Sequence, residues 1–136
     1  MDTLVATPTS APSAPVSTLV GPGRLLFERL MARLEHGDLK SLLEIFAADA
    51  EVLAFDGVRR GHAEVGRWLA ETLVEQGPGV LVSTDRFTED GGVVRFEATI
   101  TSPAGQVRQV HGVLVLAEGR IVRFLSGLMA DLNGAA

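Results

Sequence analysis

The sequence predicts an α+β domain in which three N-terminal helices pack on one face of a curved, mainly antiparallel sheet. Between residues 24 and 76, three segments repeat apolar side chains three and four positions apart, which is typical of amphipathic helices. Beyond residue 79 the chain consists of four apolar segments separated by short turns that contain glycine, and short turns join antiparallel neighbours. Helices followed by a run of strands give an α+β fold.

The first 23 residues differ in composition from the rest of the chain. They are rich in proline, serine and threonine, and four X-Pro steps disfavour a regular helix. We predict an arm at residues 1–23, either a loose tail or a segment that lies along a neighbouring surface. Residues 24–136 are predicted to form a single folded domain, which at roughly 110 residues is long enough to bury a core.

The first two helices are delimited by residues with known capping preferences. The first is predicted from Arg24 to His36, because Gly37 is the residue type that most often ends a helix. Asp38 then caps a second, short helix that runs to Phe46, since a carboxylate at this position accepts hydrogen bonds from the free N–H groups of the first turn.

One strand is predicted before the third helix and four after it. The first strand covers residues 50–55 and is closed by the turn Asp56-Gly57, and the third helix covers residues 62–76, with Trp68 on its apolar stripe. The later strands are predicted at residues 80–87, 93–101, 107–116 and 120–128.

Composition excludes several classes of function. The net charge is −5, with 17 acidic and 12 basic residues and no basic stripe, so we expect no nucleic-acid partner. The chain has no cysteine and only three isolated histidines, so we expect neither a disulfide nor a metal site. No phosphate-binding loop is present, and we expect no cofactor. Without a long apolar segment or a secretory signal, we expect no membrane partner and a cytoplasmic location.

Five short segments resemble the NTF2-like superfamily. They are residues 34–39 (LEHGDL), 46–50 (FAADA), 60–65 (RGHAEV), 112–113 (GV) and 118–122 (EGRIV), and the resemblance covers about residues 24–130. This superfamily includes SnoaL-like polyketide cyclases, ketosteroid isomerases, limonene-epoxide-hydrolase-like enzymes and non-catalytic binding domains. The resemblance implies a cone-shaped fold that encloses an apolar pocket for an apolar small molecule.

The run Arg95-Phe96-Glu97 resembles an Arg-x-Asp pair of the epoxide-hydrolase-like group. The resemblance implies that Glu97 is the acid that protonates the epoxide oxygen and that Arg95 bridges the carboxylates. Ser126 stands at the position of that group's base-forming aspartate, and Val52 and Ala54 stand where it has a tyrosine and an asparagine. The ketosteroid isomerase pattern is also incomplete, because its tyrosine and its general-base aspartate correspond to Leu30 and Ala54.

The strand at residues 93–101 can be placed in two ways. Alternation gives it one polar face, with Arg95 and Glu97, and one apolar face, with Phe96 at its centre. If the resemblance fixes the register, Arg95 and Glu97 face the pocket and the apolar set faces a partner subunit, which predicts a homodimer. In the alternative, the apolar face belongs to the core and Arg95 and Glu97 form a solvated pair.

Five further residues are candidates for the site. His111 lies on a neighbouring strand, and its imidazole near Glu97 would give an acid–base pair that works near neutral pH. Trp68, Asp56, Phe124 and Ser126 are the candidates for substrate binding, with Asp56 in a turn near the pocket mouth.

Two functions are compatible with these residues. The first is a small-molecule enzyme that acts on an apolar substrate by acid–base chemistry, as a cyclase, an isomerase or an epoxide-opening hydrolase. The alternative is a non-catalytic ligand-binding or dimeric interaction module on the same fold, which the departures at Val52, Ala54 and Ser126 favour.

Overall fold

A computed structural model describes residues 21–131 and the side-chain surroundings of residues 21–127. The helices are α1 (Pro22–His36), α2 (Leu39–Glu44) and α3 (Gly61–Gln76). The strands are β1 (Phe46–Ala54), β2 (Gly57–Arg60), β3 (Val80–Asp90), β4 (Val93–Thr101), β5 (Val107–Ala117) and β6 (Arg120–Asp131). The predicted α+β architecture is confirmed, with the three helices packed against one curved sheet of six strands. The predicted arm lies outside the described residues, apart from its last three residues.

The sheet has the strand order β2-β1-β6-β5-β4-β3. Strands β3 to β6 form the predicted antiparallel meander. Strand β1 pairs with β6 in parallel and with β2 in an antiparallel hairpin. The β1–β2 hairpin therefore extends the sheet on the side of β6. The helices cover the concave face, and we call the opposite face the outer face.

Helix α1 begins two residues earlier than predicted, and a residue from β3 supplies its cap. Gly21 offers no side chain, and the carboxylate of Glu89 accepts hydrogen bonds from the N–H groups of Gly23 (2.8 Å) and Arg24 (3.2 Å). A Cβ on Gly23 would lie 2.7 Å from the carboxyl carbon of Glu89, so only glycine allows this approach. The Arg24 guanidinium also lies 4.8 Å from the ring centre of Phe87, which further ties the helix start to β3.

The junction between α1 and α2 follows the sequence prediction. Gly37 has a φ of 68°, and its N–H donates to the carbonyls of Arg33 and Leu34. Asp38 caps α2 by accepting from the N–H of Lys40 at 3.2 Å.

Helix α2 is shorter than predicted, because Phe46 starts β1 instead of ending the helix. Phe46 is buried and aligns with Ile121 in the parallel pair, and its ring lies 6.3 Å from that of Phe124. The prediction was wrong at this residue because its apolar spacing fits either element, and burial in the sheet decides between them.

Strand β2 was not predicted. Its four residues are Gly57, Val58, Arg59 and Arg60, all of them exposed or half-buried at the edge of the sheet. A short edge strand of this kind has no apolar alternation that a sequence pattern could show.

None of the helices in residues 21–131 is both long and apolar enough to cross a membrane.

Replacing Glu89 with alanine removes both acceptors from the start of α1. We expect the free energy of unfolding to fall by about 1–2 kcal/mol, the usual effect of losing a helix cap. Urea denaturation followed by circular dichroism measures the change, and Asp90→Ala, at the exposed neighbouring position, is the matched control. Equal midpoints for the two variants would contradict the capping role of Glu89.

Candidate functional site

A cavity of about 120 Å³ lies between the helices and the concave face of the sheet. We call it the inner cavity. Apolar side chains of the helices and the sheet form most of its lining. Its polar residues are Thr72, Gln76, Arg108, His111 and Ser126, and no carboxylate of the described side chains lines it. The cavity therefore offers an apolar volume with a few hydrogen-bonding groups.

Aromatic rings form one wall of the inner cavity. Trp68 meets Phe124 edge to face, with ring centres 6.1 Å apart and an interplanar angle of 79°. Gly112 lies beneath this wall, and a Cβ there would come within 2.6 Å of Phe96 and 3.0 Å of Phe124. The glycine thus lets both rings lie against β5.

A wider, more open pocket, which we call the vestibule, adjoins the inner cavity. Its volume is about 410 Å³, and Trp68, Thr72, Gln76, Val110 and Ser126 line both spaces. The β1–β2 turn and the last two turns of α3 form its rim. The two spaces therefore make one site with an apolar interior and a polar entrance.

Asp56 lies at the rim of the vestibule. Both of its carboxylate oxygens accept from Nη2 of Arg59 at 3.2 Å. The hydrogen bond from Arg59, together with its positive charge, holds the pKa of Asp56 below the ordinary value of an aspartate. Asp56 thus places a charged carboxylate, paired with Arg59, at the rim of the vestibule.

The structure brings the four candidates for substrate binding into this one site. Trp68, Phe124 and Ser126 line the inner cavity, and Asp56 is at the entrance. Their contact with a ligand stays a prediction.

Sequence reasoning missed Arg108, which lines the inner cavity. Its Nη2 donates to the carbonyl of Gln76 at 3.1 Å and so ties β5 to the C-terminal end of α3. The signal was present in the sequence, since alternation along residues 107–116 places Arg108 on the same face as Val110.

The register that the resemblance implied for β4 was wrong. Val94 and Ala98 are 0% exposed and Phe96 is 4% exposed, so the apolar face of β4 belongs to the core. Arg95 and Glu97 consequently lie on the outer face, where water solvates them. The physical reason is that burying three apolar side chains is favourable, whereas burying an arginine and a carboxylate would require their desolvation.

His111 lies between the two faces of the site and lines both the inner cavity and the outer side of the sheet. It is the cross-strand partner of Glu97, and β5 at this point separates the inner cavity from an outer depression of about 380 Å³. Its ring lies over Gly127 of β6, where any Cβ would collide with Nε2. Nε of Arg86 lies 3.6 Å from Oε1 of Glu97 at the edge of the same depression.

The structure brings the three predicted catalytic residues together, since Arg95, Glu97 and His111 all line the outer depression. Arg95 and Glu97 do not line the inner cavity, whereas His111 lines both spaces. The sheet stands between Glu97 and the rings of Trp68 and Phe124.

Comparisons with known proteins give a family and a fold. A family model described as a SnoaL-like domain matches residues 27–124. A search of curated protein sequences found no match. Among solved structures, the chain is similar to TerC co-crystallised with polyporic acid, with 20% identity, a TM-score of 0.65, and coverage of 80% of this chain and 92% of TerC.

Two bacterial structures are similar to the same degree. A candidate polyketide cyclase from Sinorhizobium meliloti has 20% identity and a TM-score of 0.64, with coverage of 74% of this chain and 92% of that chain. An NTF2-like protein of unknown function from Burkholderia pseudomallei has 20% identity and a TM-score of 0.66, with coverage of 81% and 92%. At these identities the likeness shows the fold alone, and it confirms the predicted NTF2-like architecture.

Proposed function

The chain belongs to the SnoaL-like domain family, and we propose that it binds an apolar aromatic small molecule in the inner cavity. The observation that supports this most strongly is the cavity itself, an apolar volume walled by Trp68 and Phe124 that adjoins an open vestibule. Ligand sites in proteins are typically concave and apolar, with a small number of polar groups that orient the ligand. Here Thr72, Gln76 and Ser126, where cavity and vestibule meet, are such groups.

The size of the inner cavity limits what it can enclose. A cavity of about 150 Å³ holds one benzene molecule in another protein, so a volume of about 120 Å³ suits a single aromatic ring. Moving a ring of this size from water into an apolar space contributes roughly 2–3 kcal/mol. The polyporic acid in the similar TerC structure supports a small-molecule ligand for this fold and is a suitable first probe.

Acid–base catalysis is the second candidate function. The observation that favours it is the direct cross-strand pairing of Glu97 with His111, next to Arg95. Cyclase, isomerase or hydrolase activity that uses Glu97 would require the substrate to reach the outer depression, because Glu97 lines only that space whereas His111 lines both. Binding in the inner cavity has the stronger support, because that space is apolar and partly enclosed. The cytoplasmic location and the lack of a cofactor stay predictions.

Blocking the cavity at Thr72 should abolish ligand binding. At a ligand concentration of about 100 times Kd, the free energy of unfolding of the wild-type protein rises by about 2.7 kcal/mol, which corresponds to a rise in Tm on the order of 10 °C. We expect Thr72→Phe to lose the Tm rise with polyporic acid or 1-naphthol, because the added ring fills the space between cavity and vestibule. Val74→Phe, which adds the same ring at an exposed position of α3, should keep it.

Glu97→Gln separates the two candidate functions in the same assay. We expect this variant to show the wild-type rise in Tm, because Glu97 lies across the sheet from the cavity. Loss of the rise in Glu97→Gln, with binding retained in Thr72→Phe, would move the ligand site to the outer depression and favour catalysis.

We further propose a homodimer, formed by the outer face. Five cross-strand neighbours form a row across it, which we call the outer row: Val58, Leu53, Leu125, Val113 and Arg95. Leu125, on the interior strand β6, is 47% exposed, which is high for a large apolar side chain in the middle of a face, and Val58, on the edge strand β2, is 45% exposed.

Charge also favours a second copy of the chain as the occupant of the outer face. A two-fold axis brings the same surface of both copies together, so Arg95 of one copy can face Glu97 of the other. Beside the outer row, Glu51 accepts hydrogen bonds from Arg60 at 2.7 Å and from Arg123 at 3.2 Å. The hydrogen bond from Arg60 is the main reason why the pKa of Glu51 lies below the ordinary value of a glutamate.

A charge in the outer row should separate the two copies. We expect Leu125→Glu to be monomeric at concentrations where the wild type is dimeric, because two carboxylates would be desolvated at the interface. Sedimentation velocity measures the change, and Val74→Glu, on the exposed side of α3, is the control. A Leu125→Glu variant as dimeric as the wild type would show that the interface lies elsewhere.

A further inference from the structure

Phe55 is a fully exposed aromatic side chain beside the vestibule. It occupies the turn between β1 and β2 and lines the vestibule with its neighbours Ala54 and Asp56. Burial of a phenylalanine side chain against apolar atoms is favourable in free energy, and more so than burial of most other side chains. The turn itself does not require an aromatic residue. A ligand that passes through the vestibule would cover this side chain.

The two compartments of the site are unequal in size and adjoin each other, since five residues line both. The inner cavity, of about 120 Å³, suits one ring, and the vestibule, of about 410 Å³, leaves room for at least one more. Trp68 lines both spaces and Phe55 lines only the outer one. A molecule that fills both compartments must therefore be elongated.

The rim of the vestibule accepts hydrogen bonds. Glu71 and Glu75 lie one turn apart on α3, and among the described residues no cation is within ion-pair distance of either. Asp56, also at the rim, is already paired with Arg59. Free carboxylates at the entrance favour a ligand whose outer end carries a hydroxyl or another hydrogen-bond donor.

We infer that Phe55 is a ligand-contacting residue and that the ligand is an elongated aromatic molecule with a donor at its outer end. One ring lies in the inner cavity, a second ring lies in the vestibule against Phe55, and the donor reaches the rim. This inference rests on the proposed binding function and adds to it the length of the ligand and the polarity of its outer end.

Phenol and 4-phenylphenol test this inference, because they differ by one ring and share the hydroxyl. The only tryptophan of the chain, Trp68, lines both compartments, so its fluorescence reports binding of either compound. We expect 4-phenylphenol to bind the wild type at least about tenfold more tightly than phenol. Phe55→Ala should weaken 4-phenylphenol binding about three- to tenfold and change phenol binding less than about twofold.

Val74→Ala is the control, because it truncates an exposed apolar residue that lies outside both the vestibule and the outer row. It should leave both affinities unchanged.

Three outcomes would overturn the role of Phe55. If both compounds bind, but Phe55→Ala reduces neither affinity or reduces both affinities equally, Phe55 has no such role and the proposed binding function stands. If neither compound changes Trp68 fluorescence or the Tm, both the binding function and this inference are overturned. If Phe55→Ala alters self-association and not the affinity for 4-phenylphenol, Phe55 belongs to a contact with a second copy of the chain.

Discussion

Burial of the apolar face of β4 is the constraint on which the rest of the site depends. Phe96 packs against Phe27 of α1, with ring centres 4.8 Å apart, and Val94 and Ala98 on either side are fully buried. Because strand side chains alternate, this choice directs Arg95 and Glu97 to the outer face. The pairing of β4 with β5 then places His111 beside Glu97 on that same face. Burial of the apolar face of β4 thus keeps Arg95 and Glu97 out of the inner cavity.

Two glycines make this arrangement sterically possible, one on each face of the sheet. Gly112 leaves space on the concave face for Phe96 and Phe124, and Gly127 leaves space on the outer face for the ring of His111. The concave face can therefore carry large aromatic groups close to the backbone, and Trp68 closes over them from α3. This surface supports the proposed binding of an apolar ligand, whereas the mixed polarity of the outer face supports the proposed contact between two copies of the chain.

Much of the fold was predictable because it rests on local signals. Gly37 and Asp38 mark helix ends by their own conformational preferences, and the glycine-containing turns set the strand boundaries, with β4 observed at the predicted residues. The orientation of β4 was not predictable, since alternation defines two faces without stating which one is covered. Phe55 was not among the predicted site residues although its neighbour Asp56 was, because the sequence of a turn does not show which of its side chains line a cavity.

Methyl NMR tests the location of the ligand site most directly. In a sample labelled at isoleucine, leucine, valine and methionine methyl groups, titration with 4-phenylphenol should shift the resonances of Met31, Ile100 and Val110, which line the inner cavity. Val113 and Leu125, across the sheet, should keep their positions. Shifts confined to Val113 and Leu125 would place the ligand on the outer face and contradict binding in the inner cavity.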